Sequence, residues 1–188
     1  MKYLLLGNGP LPEQAGVIDA DLVVQFNLCV HRARVPPFVR RYVFISNTGA
    51  PAEQSVAFFV ENKNDPTLAG AVVMCARNPT FYRLKRCALK LFGSEAQQHY
   101  TVSPAPRELH RIAVVETMSF LATLRLETRM REEGMTASMM PSTGMIAFDW
   151  VVRGMRPGDR LAIAGFSWEG WEGHPWEIER RIMRGGGK

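Results

Sequence analysis

The chain has 188 residues, 46% of them apolar and 22% charged, with a formal net charge of +5. That balance excludes a disordered chain, and no apolar run approaches the ~20 residues that a membrane helix needs. The length suits one ordinary domain, residues 1–188, with a substantial core.

The first element, Tyr3–Asn8, reads as a buried strand. Met1–Leu6 looks like the start of a signal peptide, but it reaches Gly7-Asn8-Gly9 at once and lacks a small-residue cleavage site. The expected compartment is therefore the cytoplasm. Leu11–Gly16 reads as a short turn or helix, Leu22–Asn27 as a second strand, and Tyr42–Ser46 as a third, closed by Asn47-Thr48-Gly49. Ala52–Glu61 carries an apolar helical stripe through Ala52, Val56, Phe59 and Val60. Gly70–Ala76 is a β-branched strand, Thr80–Phe92 a basic amphipathic helix, and a short strand is expected near Tyr100–Val102.

Pro104 and Pro106 break the chain. Glu108–Glu133 reads as an interrupted or bent helix, followed by the Met-rich loop Gly134–Met140. A helix over Ser142–Arg153, a turn at Pro157-Gly158-Asp159, a buried strand over Leu161–Phe166 and a helix over Pro175–Met183 complete the order, with a frayed glycine tail after Gly185. Strands alternating with helices predict an α/β fold: a mostly parallel central sheet with helices on both faces. Such sheets bind ligands at the carboxyl ends of their strands, which is where the chemically suggestive segments fall.

Cys29, Cys75 and Cys87 form no CxxC pair, and their odd count argues for reduced thiols. No Cys/His cluster has ligand spacing, so no metal is expected. The basic clusters at Arg32–Arg34, Arg40-Arg41, Arg83–Arg86 and Arg180–Arg184 read as a solvated positive face rather than a nucleic-acid surface.

Four segments can carry chemistry. Gly7-Asn8-Gly9 allows tight backbone geometry and close ligand approach, with the Asn8 amide as donor and acceptor; an ordinary turn would use the same residues. It is not a GxGxxG fingerprint, which disfavours a dinucleotide. Asn27, and Asn47 in support, sit at strand tips, where a short amide can reach a phosphate oxygen or simply close a turn. Ser142, Thr143 and Gly144 open a helix whose free amides attract anions, or cap it plainly. His174, just before Pro175, falls at or near a helix N-cap, where imidazolium is disfavoured. A neutral imidazole there can act as a general base, or serve as a structural histidine. Glu177 suits a capping box and Glu179 an orienting role. Trp168, Trp171 and Trp176 can form a sugar platform or loop core.

In this order GNGP, D-x-V-V-x-F-N, PSTGM, a strand ending in Gly-Phe, and H-x4-E resemble the sialylmotifs of sialyltransferases that use CMP-sialic acid. Gly7–Asn27 resembles the large motif, Pro141–Phe166 the small motif and His174–Glu179 the very short motif. A bacterial group, some of whose members are labelled urease operon accessory proteins, is similar in length and in its GNGP start. The resemblance implies a variant Rossmann-like glycosyltransferase fold. It implies that Asn8 and Asn27 hold the nucleotide and that Ser142, Thr143 and Gly144 cradle the CMP ribose and phosphate. His174 would be the catalytic base and Glu179 its support.

The expected function is metal-independent, inverting transfer of a sugar from a CMP-sugar donor to an acceptor hydroxyl. The donor is a substrate, and no cofactor is expected. No Cys lies in Pro141–Phe166, and the family's separate His motif has no counterpart. A non-catalytic nucleotide-binding accessory protein on the same fold is therefore the alternative. Expected partners are the donor and a hydroxyl acceptor, with no membrane span and no nucleic acid; a homo-oligomer is left open.

Overall fold

The computed structural model describes residues 1–11, 18–93, 101–102 and 107–185. Among these, the strands are β1 (Lys2–Leu6), β2 (Leu22–Phe26), β3 (Arg40–Ile45), β4 (Val72–Cys75), β5 (Val114–Thr117) and β6 (Arg160–Ala164). The helices are α1 (Gly49–Glu61), α2 (Pro79–Leu91), α3 (Arg107–His110), α4 (Phe120–Glu132), α5 (Thr143–Gly154) and α6 (Trp176–Arg184). The strands form one six-stranded sheet in the order β5-β4-β3-β2-β1-β6. Every neighbouring pair is parallel, so the expected α/β class holds, and the architecture is Rossmann-like.

Alternation along the strands separates two faces. Leu22, Val24, Phe26, Tyr42, Phe44 and Met74 pack with Leu126 and Met130 of α4, Met145, Phe148 and Val151 of α5, and Ile182 of α6. On the other face Val43, Ile45, Val73 and Cys75 meet Phe59 of α1 and Leu109 of α3. Burial on both faces explains why the strands are nearly continuous runs of apolar residues.

The chain walks outward from β1 to β5 and then returns to place β6 on the free side of β1. The direction of winding therefore reverses between β1 and β6, which opens a crevice at their carboxyl ends. Gly7 N donates to Ala164 O at 2.8 Å, and Gly9 N donates to Gly165 O at 2.8 Å. A Cβ on Gly7 would lie 2.0 Å from the Gly165 carbonyl oxygen, so no side chain fits.

Some expected elements differ. The long helix over Glu108–Glu133 is instead α3, strand β5 and α4. The run Ile112-Ala113-Val114-Val115 favours a strand, and Ser119 starts a new helix by accepting a hydrogen bond from Ala122 N at 3.2 Å. Thr101 and Val102 carry no strand. Most of Leu11–Gly16, and Tyr100, Pro104, Pro106 and residues 186–188, lie outside the described residues.

Candidate functional site

The expected segments converge. Gly7, Asn8, Gly9, Asn27, Ser142, Thr143, Gly144, His174 and Glu179 all line one cleft of about 280 Å³ at the carboxyl end of the sheet, beside Phe166, Trp168 and Trp176. A second cavity of about 480 Å³ shares Asn27, Thr143 and His174 with it and adds Ser46, Thr48, Gly49, Arg77, Met140 and Trp171. Asn27, Thr143 and His174 thus stand at the junction of a two-lobed site.

The glycine turn works differently from the expectation. The amides of Gly7 and Gly9 are spent on β6 and its following turn, so they do not face a ligand. The Asn8 side chain spans two loops: its Nδ2 donates to Phe26 O at 3.0 Å, and its Oδ1 accepts from Val30 N at 3.1 Å. His31 adds a contact that sequence spacing gave no hint of, its Nε2 lying 2.8 Å from Gly9 O as the donor. These residues shape the wall of the cleft. Asn27 has left-handed backbone (φ 46°), and its Oδ1 accepts from Ser46 N at 2.9 Å, which points the β2 tip toward β3.

Helix α5 supplies the exposed amides. Ser142 caps it, its Oγ accepting from Met145 N at 3.0 Å. The N–H groups of Thr143 and Gly144 make no hydrogen bond to any of the described residues. They are two of the donors that a helix start leaves unpaired, on residues that line the smaller cleft, and such a helix start favours an anion.

Arg77 is the residue that sequence reasoning missed. It follows β4 and is 2% exposed at the base of the larger lobe. Its guanidinium donates to Pro141 O at 3.1 Å and to Ser46 Oγ at 3.2 Å, and reaches Thr143 Oγ1 at 3.5 Å, while Nε has no partner. It forms no ion pair among the described residues. Burial pushes its pKa below the usual arginine value, against the pull of Tyr82, Glu179 and Glu127. Arginine nonetheless stays cationic, so a full positive charge sits beside the free amides of α5. Asn47 fixes Arg77 through a reciprocal clamp: its Nδ2 donates to Arg77 O at 2.8 Å, and its Oδ1 accepts from Arg77 N at 2.9 Å. Asn47 therefore supports the site from behind. Its one mark in the sequence is its place just after a strand, which an arginine pointing to solvent would share.

His174 lies one residue before the α6 N-cap, which is Pro175 and makes no side-chain cap bond. His174 is therefore near the N-cap, as expected, but the capping box at Glu177 is absent among the described residues, because the proline occupies the cap position. His174 Nδ1 donates to Met140 O at 2.8 Å, which leaves Nε2 as the unprotonated nitrogen. The ring is held edge-on between Trp171 and Trp176, with centroids 4.9 and 5.0 Å away. Burial, more than the Met140 bond opposes it and with Arg77 assisting, lowers its pKa to about 4. The ring is neutral, as expected, but the cause is desolvation rather than a helix end. A base so far below neutral pH has little driving force to take a hydroxyl proton. Glu179 faces Ser142 rather than His174.

No family model matches this chain, and no solved structure matches it. The chain is 26% identical over 191 residues to the urease operon 23 kDa accessory protein of Rhizobium meliloti (strain 1021), a match covering 96% of this chain and 86% of that protein. This likeness corrects the expectation of a glycosyltransferase or sialyltransferase-like enzyme with His174 as base. The similarity runs along nearly the whole chain to a protein named for an accessory role, not for sugar transfer. It favours the accessory alternative. No helix among the described residues is long and apolar enough to cross a membrane.

Proposed function

We propose that this chain is a non-catalytic accessory protein that binds a mononucleotide in the two-lobed cleft. The observation that carries the nucleotide half is Arg77, a buried cation with no ion pair among the described residues, beside the amides of Thr143 and Gly144, which bond to none of them. Together they match the charge and the acceptor-rich shape of a phosphate. The base and sugar are then offered Trp171 in one lobe and Trp168 and Trp176 in the other, with Asn27 between. The sialylmotif resemblance supports this reading only as a nucleotide cradle. The accessory half draws on the name of the Rhizobium relative and on the weak basicity of His174.

Calorimetric titration of the protein with CMP, UMP, AMP, GMP and inorganic phosphate tests both halves. Saturable binding of a mononucleotide is expected, weakened about tenfold or more by Arg77→Lys, which loses the planar fork. A CMP-sugar incubated with hydroxyl acceptors should stay intact. Absence of mononucleotide binding overturns the first half, and steady sugar release overturns the second.

A further inference from the structure

The sheet has a second opening, away from the nucleotide cleft. A cavity of about 660 Å³ lies between the starts of β1, β2 and β3 and residues of α4 and α5, and it is larger than either lobe of the cleft. Its volume falls in the range that encloses small ligands. Leu22, Tyr42, Met118 and Val151 form its buried floor. Tyr3 and Trp150 are half-buried, and the Trp150 ring leans on Tyr42 with centroids 4.7 Å apart. Three aromatic side chains thus line one cavity.

The charges that line it do not cancel. They are Arg40, Arg153, Arg156, Asp159 and the amino group of Met1. Arg153 pairs with Asp149 at 2.7 Å, and Asp159 pairs with the Met1 amino group, so these are neutralised. Arg40 and Arg156 form no ion pair among the described residues. Arg40 lies along the aromatic wall: its Nη2 donates to Tyr42 Oη at 2.8 Å, and its guanidinium carbon is 5.3 Å from the Tyr42 ring centroid. The C-terminal end of α5 reaches the cavity at Gly154 and brings about half a negative charge. Two full positive charges outweigh it, so the cavity favours an anion.

We propose that this cavity binds a small aromatic acid, a planar ring system carrying one carboxylate. Tyr3, Tyr42 and Trp150 offer ring contacts to a planar ligand, and a guanidinium fork takes a carboxylate through two hydrogen bonds. An aromatic cation would be repelled by Arg40 and Arg156, and an acyl chain would leave the ring contacts unused. The lining residues belong to neither lobe of the nucleotide cleft, so failure of one proposal leaves the other standing.

Calorimetric titration of the full chain provides the test. The probes are 2-naphthoate, its neutral amide 2-naphthamide, the cation 2-naphthylmethylammonium, and octanoate. Saturable naphthoate binding is expected, about tenfold or more tighter than binding of the amide or the cation, and tighter than that of octanoate. Arg40→Glu and Arg156→Glu should each weaken it about fivefold or more, and added salt should weaken it in the natural protein. Arg86→Glu removes an exposed cation that does not line the cavity and should leave the affinity unchanged. Circular dichroism identical to that of the natural protein shows that the variants are folded. No naphthoate binding, equal binding of the amide or the cation, tighter binding of octanoate, or full affinity in both Arg40→Glu and Arg156→Glu overturns the proposal.

Discussion

The Glu179 carboxylate grips Ser142 twice: Oε1 accepts from the Ser142 backbone N–H at 2.7 Å and Oε2 from its hydroxyl at 2.6 Å. Ser142 Oγ in turn accepts from Met145 N, so a side chain of α6 fixes the cap of α5 and hence the aim of the free amides. Glu179→Gln replaces one acceptor oxygen with a donor and leaves a buried clash of donors. It should cost about 1–3 kcal/mol in urea unfolding at neutral pH, and Ser142→Ala about 1 kcal/mol through the lost cap.

Two titratable groups that line the cleft pull stability in opposite directions with pH. Burial raises Glu179 from 4.5 to about 7, against the lowering effect of its Ser142 bonds and Arg77. The folded protein then holds this proton longer than the unfolded chain, so the contribution is full below 4.5 and is lost as pH rises through 7. His174 is lowered from 6.5 to about 4, so its contribution is full above 6.5 and is lost as pH falls through 4. Between pH 4.5 and 6.5 the two oppose each other. In unfolding free energies measured across that range, Glu179→Gln should rise more steeply with pH than the natural protein, and His174→Gln should rise less. Parallel curves for all three would contradict both shifts.

The glycines of the cleft should divide into two grades. Gly7→Ala puts a Cβ against the backbone of Gly165, which cannot move without parting β1 from β6. It should cost more than about 3 kcal/mol, or prevent folding. Gly144→Ala puts a Cβ 2.7 Å from Cε1 of the Phe166 ring, a side chain able to turn. Its cost should be about 1–3 kcal/mol, with the chain still folded by circular dichroism.

Arg77 should convert ligand binding into thermal stability. A mononucleotide at a hundred times its Kd stabilises the folded state by about 2.7 kcal/mol, visible as a raised Tm. Arg77→Met removes the cation and should abolish that rise. The unliganded variant should lose less than a broken ion pair would cost, because Arg77 forms no ion pair among the described residues. A Tm rise of equal size in the variant would remove Arg77 from the site.

Much of the fold was legible because both faces of the sheet are covered. Tyr42–Ile45 is apolar throughout and Leu22–Phe26 is interrupted only by Gln25, and amphipathic helices occur along the chain. The segment over Glu108–Glu133 was misread because α3 is four residues long and β5 is also four, too short to impose a period of their own. At the site, Asn27, Thr143, Gly144 and His174 were legible as strand and helix ends, where backbone geometry restricts the residue types. Arg77 was not, because an arginine after a strand looks the same whether it points to solvent or is buried.

Local rules written in the sequence thus determined the parallel alternation of elements, the helix start at Ser142 and the close-packed glycine turn after β1. Only the tertiary structure decided which donors remain free for a ligand. The amides of Gly7 and Gly9 are consumed by β6 and those of Thr143 and Gly144 are not, while Asn47 turns Arg77 inward. The physical reason is that hydrogen-bonding capacity belongs to each residue, but whether it is spent inside the protein depends on partners that lie far away along the chain.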